Sequence, residues 1–334
     1  MQVEQIKEKI NLKTKPLGAL GQLEELAMQI CKVQNTLSPA LNNPTILVFA
    51  ADHGIAQEGL SAYPAEVTPQ MVLNFLSGGA AINVFCRQHQ ISLKIVDAGV
   101  NFDFDKDDKL IEAKIAKGTR NFSKENAMTA QQLQLCFKKG EEIISQIVKD
   151  GCNIIGFGEM GIANTSSASI LMAYLCNLPI EQCVGKGTGL RDQQLQNKIE
   201  VLKQAQQIHK SPASVQEALE FYGGFEIAQI CSAMLAAYKN NMLIMIDGFI
   251  ATVAFLCANR IDSNIIQHAI FCHQSDELGH KAILNSLNVK PLLNLGMRLG
   301  EGTGCAVAYP IIRSAVVFMN EMASFEDAGV SEKS

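Results

Sequence analysis

Short apolar runs recur along the chain between longer stretches with helical spacing. They are "PTILVFAA" (44–51), "ISLKIVDAG" (91–99), "CNIIGFG" (152–158), "NMLIMID" (241–247), "IIQHAIFC" (265–272) and "PLLNLG" (291–296). Their apolar positions are consecutive rather than alternating, the pattern of strands covered on both faces. Stretches such as 131–149 and 195–209 predict the crossover helices that parallel strands require. The expected fold is therefore α/β, a parallel β-sheet of about six strands flanked by helices. The ends read differently. Residues 2–34 and 305–325 are helical in pattern, with no strand between them and their terminus. The predicted division is a large α/β (Rossmann-like) domain over 35–300 and a small helical domain built from 1–34 together with 301–334.

An open parallel sheet binds ligands beyond the carboxyl ends of its strands. The runs end in Asp52-His53, Asp97, Gly158-Glu159, Asp247-Gly248 and His273-Gln274-Ser275, with Gly300-Glu301-Gly302 past the last. One acidic residue at a strand end is usually a loop cap, but a row of polar groups and glycines is expected of a ligand-binding edge. Three glycine loops stand out: "GFGEMG" (156–161), "GKGTG" (185–189) and "GEGTG" (300–304). Glycine lets backbone N–H groups approach a ligand, and a following helix adds its positive end. None is a phosphate-binding loop of the Walker type, since no Lys-Ser or Lys-Thr follows at the right spacing.

The first loop has the spacing of a dinucleotide turn, and Glu181 lies near the distance of a ribose contact, so an NAD-dependent oxidoreductase is one alternative. Against it, Glu159 sits where a pyrophosphate should lie. Two like charges about 4 Å apart cost about 4 kcal/mol at an effective dielectric of about 20. A division of labour fits better. The backbone from Gly161 onward and the helix start hold phosphate, while Glu159 faces a sugar hydroxyl or a cationic centre. Glu301 has the same setting. Two carboxylates in glycine loops at one edge point to chemistry at a sugar, one taking a proton and the other steadying positive charge at an anomeric carbon. Glycosidases also use paired carboxylates, but their clefts are lined with aromatic residues, and this chain has no Trp and five Tyr.

Composition narrows the class further. Of 334 residues, 48% are apolar and 18% charged, ordinary for a soluble globular protein. A net charge of −5 without a basic stripe argues against a nucleic-acid partner. The start, "MQVEQIKEKI", lacks the apolar stretch of a signal peptide. The longest apolar stretch, residues 241–258, carries Asp247 and Gly248 in its middle and reads as strand, loop and helix rather than a membrane span. Ten cysteines without a CxxC pair suit reduced thiols in the cytoplasm. "CHQSDELGH" holds Cys272, His273 and His280, but nothing pairs with it at zinc-like spacing, so no metal is expected. The charge-rich loop "NFDFDKDDK" (101–109) reads as a solvated face.

Nearly the whole chain resembles the nicotinate-nucleotide–dimethylbenzimidazole phosphoribosyltransferase family. The likeness runs through "KPLGALGQLEELA" (15–27), "ADHGI" (51–55), "SAYPAEVTPQMV" (61–72), "GTRNF" (118–122), "GEMGIANTSSAS" (158–169), "DGFIATVA" (247–254), "HQSDELGH" (273–280) and "RLGEGTGCA" (298–306). The resemblance implies a parallel sheet with flanking helices, a small domain from both termini, a homodimer and no organic cofactor. It implies transfer of phosphoribose from nicotinate mononucleotide to 5,6-dimethylbenzimidazole, giving α-ribazole 5′-phosphate and nicotinate; adenine as acceptor is a close variant. Carried over by residue, Glu301 resembles the catalytic base and Glu159 the group at the ribose. Gly161, Asn164, Lys198 and Ser275 are implied at the phosphate and ribose. Spacing alone favours Lys186 for the phosphate, and Ser275 before Asp276 and Glu277 also reads as a plain helix cap. The base pocket is implied at Ser61, Tyr63, Gln70, Met160 and Leu299. Asp52, His53 and Asp247 are edge residues without an assigned role. Leu17 and Ala19 depart from the family's Pro and Ser, and Ala163 replaces a glycine in the phosphate loop, where alanine resists positive φ.

Overall fold

The computed structural model describes residues 3–185 and 191–331. Six strands form one sheet: β1 (Thr45–Ala51), β2 (Ser92–Gly99), β3 (Leu110–Glu112), β4 (Ile154–Met160), β5 (Leu243–Ile246) and β6 (Ala269–Phe271). Every pairing is parallel, in the order β3-β2-β1-β4-β5-β6. The order reverses between β1 and β4, so a crevice opens beyond the carboxyl ends of these two strands. In that register Phe49 of β1 lies beside Glu159 of β4.

All seven residues of β1 are buried, which explains its unbroken apolar run. Leu47, Phe49 and Ala51 face a core shared with the helices Ala130–Lys149, Phe225–Lys239 and Phe249–Ile261. Ile46, Val48 and Ala50 face the other core, which the helices Val3–Asn11, Gln22–Gln34 and Thr303–Glu321 cover. The two chain ends meet there. Lys13 donates its ammonium to the Met322 carbonyl, and the Phe325 N–H donates to the Leu12 carbonyl at 3.0 Å. Thr129 and Gln132 form a reciprocal cap at the start of the helix Ala130–Lys149.

Three expectations need correction. The run 291–296 is not a strand; it contributes one bridge, Leu293 to His273. Pro291 has no N–H to donate, and Leu295 points into solvent at 58% exposure. The sixth strand is instead β3, three partly exposed residues inside a charge-rich segment, too short to show a period. Ser275 does not open a helix, because the next one begins at His280. The 241–258 stretch does divide into β5, a turn at Asp247-Gly248 and the helix Phe249–Ile261. Among the described residues no helix is long and apolar enough to cross a membrane.

Candidate active site

β4 delivers Glu159 to the crevice and ends one residue later. Gly161 follows because only glycine fits: a Cβ there would stand 2.4 Å from the Ala51 carbonyl of β1. Ala163 then takes the left-handed region, φ 74°, and caps the helix Asn164–Cys176. This turn brings the Asn164 amide back onto Glu159 Oε2. The other oxygen lies against Gly300, where an added Cβ would be 2.1 Å away. Burial pushes the Glu159 carboxyl up to about 8; the Asn164 hydrogen bond opposes this, and Glu226, Asp247 and Glu301 add to it.

The loop carrying Glu301 is clamped to the same strand. The Glu301 N–H donates to the Glu159 carbonyl at 3.2 Å, and a Cβ on Gly158 would come within 2.3 Å of the Glu301 carbonyl carbon. Thr303 Oγ1 donates to the carbonyls of Leu299 and Gly300 at 3.0 and 2.9 Å. Asp247, just past β5, accepts from the N–H groups of Gly302 and Gly304 at 3.0 and 2.6 Å. Glu301 itself sits at φ 70°. Its side chain is buried, its carboxylate accepts from the Ile82 N–H in the first turn of the helix Ala81–His89, and Oε2 has no hydrogen-bond partner. Burial pushes this carboxyl up to about 7; the Ile82 N–H opposes that and Asp247 reinforces it.

Both carboxylates line one cavity of about 140 Å³, together with Met160, Gly161, Asn164, Thr165, Asp247, Ser275, Arg298 and Leu299. The structure thus brings seven of the sequence-derived site residues together: Glu159, Met160, Gly161, Asn164, Ser275, Leu299 and Glu301. Lys198 stands behind them. It is fully buried on the helix Asp192–Ile208 and donates to Thr165 Oγ1 at 2.8 Å. Burial pushes its ammonium down to about 8, with Glu277 acting the other way. Lys186 and residues 187–189 of the second glycine loop lie outside the described residues.

Ser61, Tyr63 and Gln70 do not line this cavity. Ser61 Oγ accepts from the Tyr63 N–H at 3.4 Å, Tyr63 is half exposed, and Gln70 is exposed on the helix Val67–Ser77. That helix touches the site through Thr68, whose Oγ1 accepts from the Ile162 N–H at 3.1 Å. Glu181 is equally remote: it sits in the helix Ile180–Cys183, exposed and paired with Lys203, which removes the ribose contact a dinucleotide reading needs.

Four neighbours were not assigned from sequence. Thr165 and Arg298 lie inside quoted motifs but carried no distinguishing signal of their own. Ile82 acts through its backbone, which side-chain identity does not reveal. His53 accounts for the "ADHGI" segment: its Nε2 pairs with Glu226 Oε1 at 2.7 Å and its Nδ1 with Ser167 Oγ at 3.1 Å, all buried, behind Gly161. Nearby His280 is neutral. Burial holds it down to about 3; its Nδ1 accepts from the Ser275 N–H and its Nε2 meets Thr252 Oγ1 at 2.9 Å. Among the described residues no group of three or more His, Cys, Asp or Glu is arranged to hold a metal ion.

With this geometry in view, the comparisons are decisive. A family model described as "Phosphoribosyltransferase" matches residues 2–330. The chain belongs to this phosphoribosyltransferase family. Relatives bear the finer name nicotinate-nucleotide–dimethylbenzimidazole phosphoribosyltransferase. The one from Cupriavidus taiwanensis is 54% identical over 325 residues, 97% of this chain and 94% of its own. The one from Bacteroides fragilis is 46% identical over 329 residues, 98% and 95%. Among solved structures, CobT from Thermus thermophilus superimposes with a TM-score of 0.96 at 36% identity, covering 99% of both chains. Family and fold are those the sequence resemblance implies.

Proposed function

We propose that this protein transfers phosphoribose from nicotinate mononucleotide to 5,6-dimethylbenzimidazole, giving α-ribazole 5′-phosphate and nicotinate for the lower-ligand nucleotide of cobalamin. The observation that carries the reading is one cavity shared by two buried carboxylates, Glu159 and Glu301, each raised on a glycine loop. Relatives named for this reaction at 54% and 46% identity support the same substrates.

The donor phosphate lies at the start of the helix Asn164–Cys176, over the Gly161 backbone, with Ser275 beside it and Lys198 behind Thr165. Glu159, held by Asn164, faces the ribose. Before the donor binds, its raised pKa keeps a proton at neutral pH; the donor's pyridinium charge favours the ionised form. Met160 and Leu299 wall the space for a flat methylated ring. The family resemblance adds Ser61, Tyr63 and Gln70 to the base subsite, although they lie outside this cavity.

A ring nitrogen of the benzimidazole attacks C1′ from the face opposite the pyridinium. The C1′–N bond to nicotinate breaks, and its electron pair leaves the pyridine ring uncharged. Positive charge appears on the benzimidazole, and its other nitrogen passes its proton to Glu301. A carboxyl near pH 7 is matched to that transfer. Inversion turns the β-nucleotide into an α-product. The working form is a cytoplasmic homodimer without an organic cofactor, with residues 1–34 and 301–334 acting as a small helical domain against 35–300.

The test is to mix purified protein with nicotinate mononucleotide and a panel of bases that includes adenine. Nicotinate release with dimethylbenzimidazole and an α-linked product is expected; no release with any base overturns the reading.

A further inference from the structure

Asp247 lies in the cavity wall and is almost fully buried, yet the transfer chemistry leaves it unused. Both of its oxygens are engaged by the backbone on either side of Thr303: Oδ2 accepts from Gly302 and Oδ1 from Gly304. Gly302 is the N-cap of the helix Thr303–Glu321 and has no side chain to cap with, so the Asp247 carboxylate just past β5 does it from outside. The residue immediately before that cap is Glu301, a non-glycine residue in the left-handed region. Its other restraints are the Glu159 carbonyl, the local bonds of Thr303 and the Ile82 N–H at its carboxylate, and none of them holds the amides of Gly302 and Gly304.

We propose that Asp247 is the positioning residue for Glu301, fixing where the base sits by gripping the amides that follow it. The inference rests on the transferase reading above. A second consequence is electrostatic. The groups around the Glu301 carboxylate are Glu159 on β4, Asp247 past β5, the Ile82 N–H on the helix Ala81–His89, and Arg298 in the cavity wall. Behind Asp247, His273 Nε2 stands 3.5 Å from Oδ1. Of these, Asp247 carries the like charge that disfavours an ionised Glu301, while Glu159 keeps its proton until the donor binds. Asp247 therefore sets both the place and the basicity of the proton acceptor.

The experiment compares Asp247→Asn and Asp247→Glu with wild type in nicotinate release from nicotinate mononucleotide and dimethylbenzimidazole. In Asp247→Asn, one amide loses its acceptor and the loop is free to shift. A displacement of that kind lowers kcat by roughly 100-fold. KM for nicotinate mononucleotide stays within about threefold, since the phosphate is assigned to the Gly161 backbone, Ser275 and Lys198. The acid limb of kcat/KM moves to lower pH by roughly half a unit, because a like charge has gone. Asp247→Glu keeps the charge but displaces both oxygens, so kcat falls and the limb stays in place. Normal kcat in either folded variant overturns the proposal, as does an unshifted limb in Asp247→Asn. If neither variant folds, Asp247 is a structural cap alone and the proposal also fails. Wild-type protein in the same assay keeps the readings apart: no release there defeats the transferase reading itself.

Discussion

The Glu301 N–H donates to the Glu159 carbonyl at 3.2 Å, so the two carboxylates ride on one backbone unit although 142 positions separate them (301 − 159). That bond ties the Glu301 loop to the end of β4, and Asp247 holds the amides that follow it. The glycines at 158 and 300 are what let the loops close to that distance. Each of the following expectations tests one consequence of that arrangement.

The first concerns pH. Glu301 must be ionised to accept a proton, and its carboxyl is raised to about 7. The rate constant kcat/KM, which reports the free enzyme, is expected to fall about tenfold per pH unit below that value. The limb in kcat should lie lower, because the bound pyridinium favours the anion. A kcat/KM limb near the ordinary carboxylate range of about 4 to 5 contradicts the assignment of Glu301 as base.

Stability should carry the same signature with a worked sign. Glu159 and Glu301 have folded pKa values above their ordinary one, so the native state binds more protons than the unfolded chain between those values. Stability is then lost as pH rises from about 4.5 towards 8. In Glu159→Gln this loss is reduced, and urea unfolding should show the variant gaining on wild type from pH 5 to pH 8. A constant difference across that range speaks against a raised carboxyl.

Lys198 gives the opposite test. Its ammonium is pushed from 10.5 to about 8 by complete burial, so the penalty is full below pH 8 and fades as pH rises through 8 to 10.5. The shift corresponds to about 3 kcal/mol at neutral pH. Lys198→Met is expected to unfold at higher urea at pH 7, with the advantage shrinking by pH 10, while KM for nicotinate mononucleotide rises by roughly tenfold or more. A variant that is less stable at pH 7, or one with unchanged KM, removes the case for a lysine held at a cost for its ligand.

What was readable in the sequence depended on burial and on glycine. β1 and β4 are apolar at consecutive positions because both faces are covered, and their run lengths survive in the structure. Glu159 and Glu301 were visible through flanking glycines, which mark close backbone approach. Lys198 gave no such signal: in an amphipathic helix it reads like a surface charge, and only the fold buries it beneath Thr165. Ile82 reaches Glu301 through a backbone N–H from 219 positions away (301 − 82), a contact that residue type does not encode. β3 escaped because three residues show no period, and 291–296 misled because its apolar residues lie partly exposed beside Pro291.

Ala163 is the departure from the family with an energetic consequence. At φ 74° an alanine is strained by about 1–2 kcal/mol, partly offset by the lower entropy of its unfolded state. Ala163→Gly is expected to stabilise the protein by about 0.5–1 kcal/mol in chemical unfolding, with turnover preserved. Destabilisation of that size means the cap is not left-handed in solution.

The central claim is that Glu301 takes the proton from the attacking base in a cavity it shares with Glu159. The most direct measurement is Glu301→Gln assayed for nicotinate release, with binding of nicotinate mononucleotide followed by calorimetry on the same sample. The expected result is loss of release by roughly 100-fold or more with binding retained within about threefold. Turnover at the wild-type rate with substrate bound would contradict it.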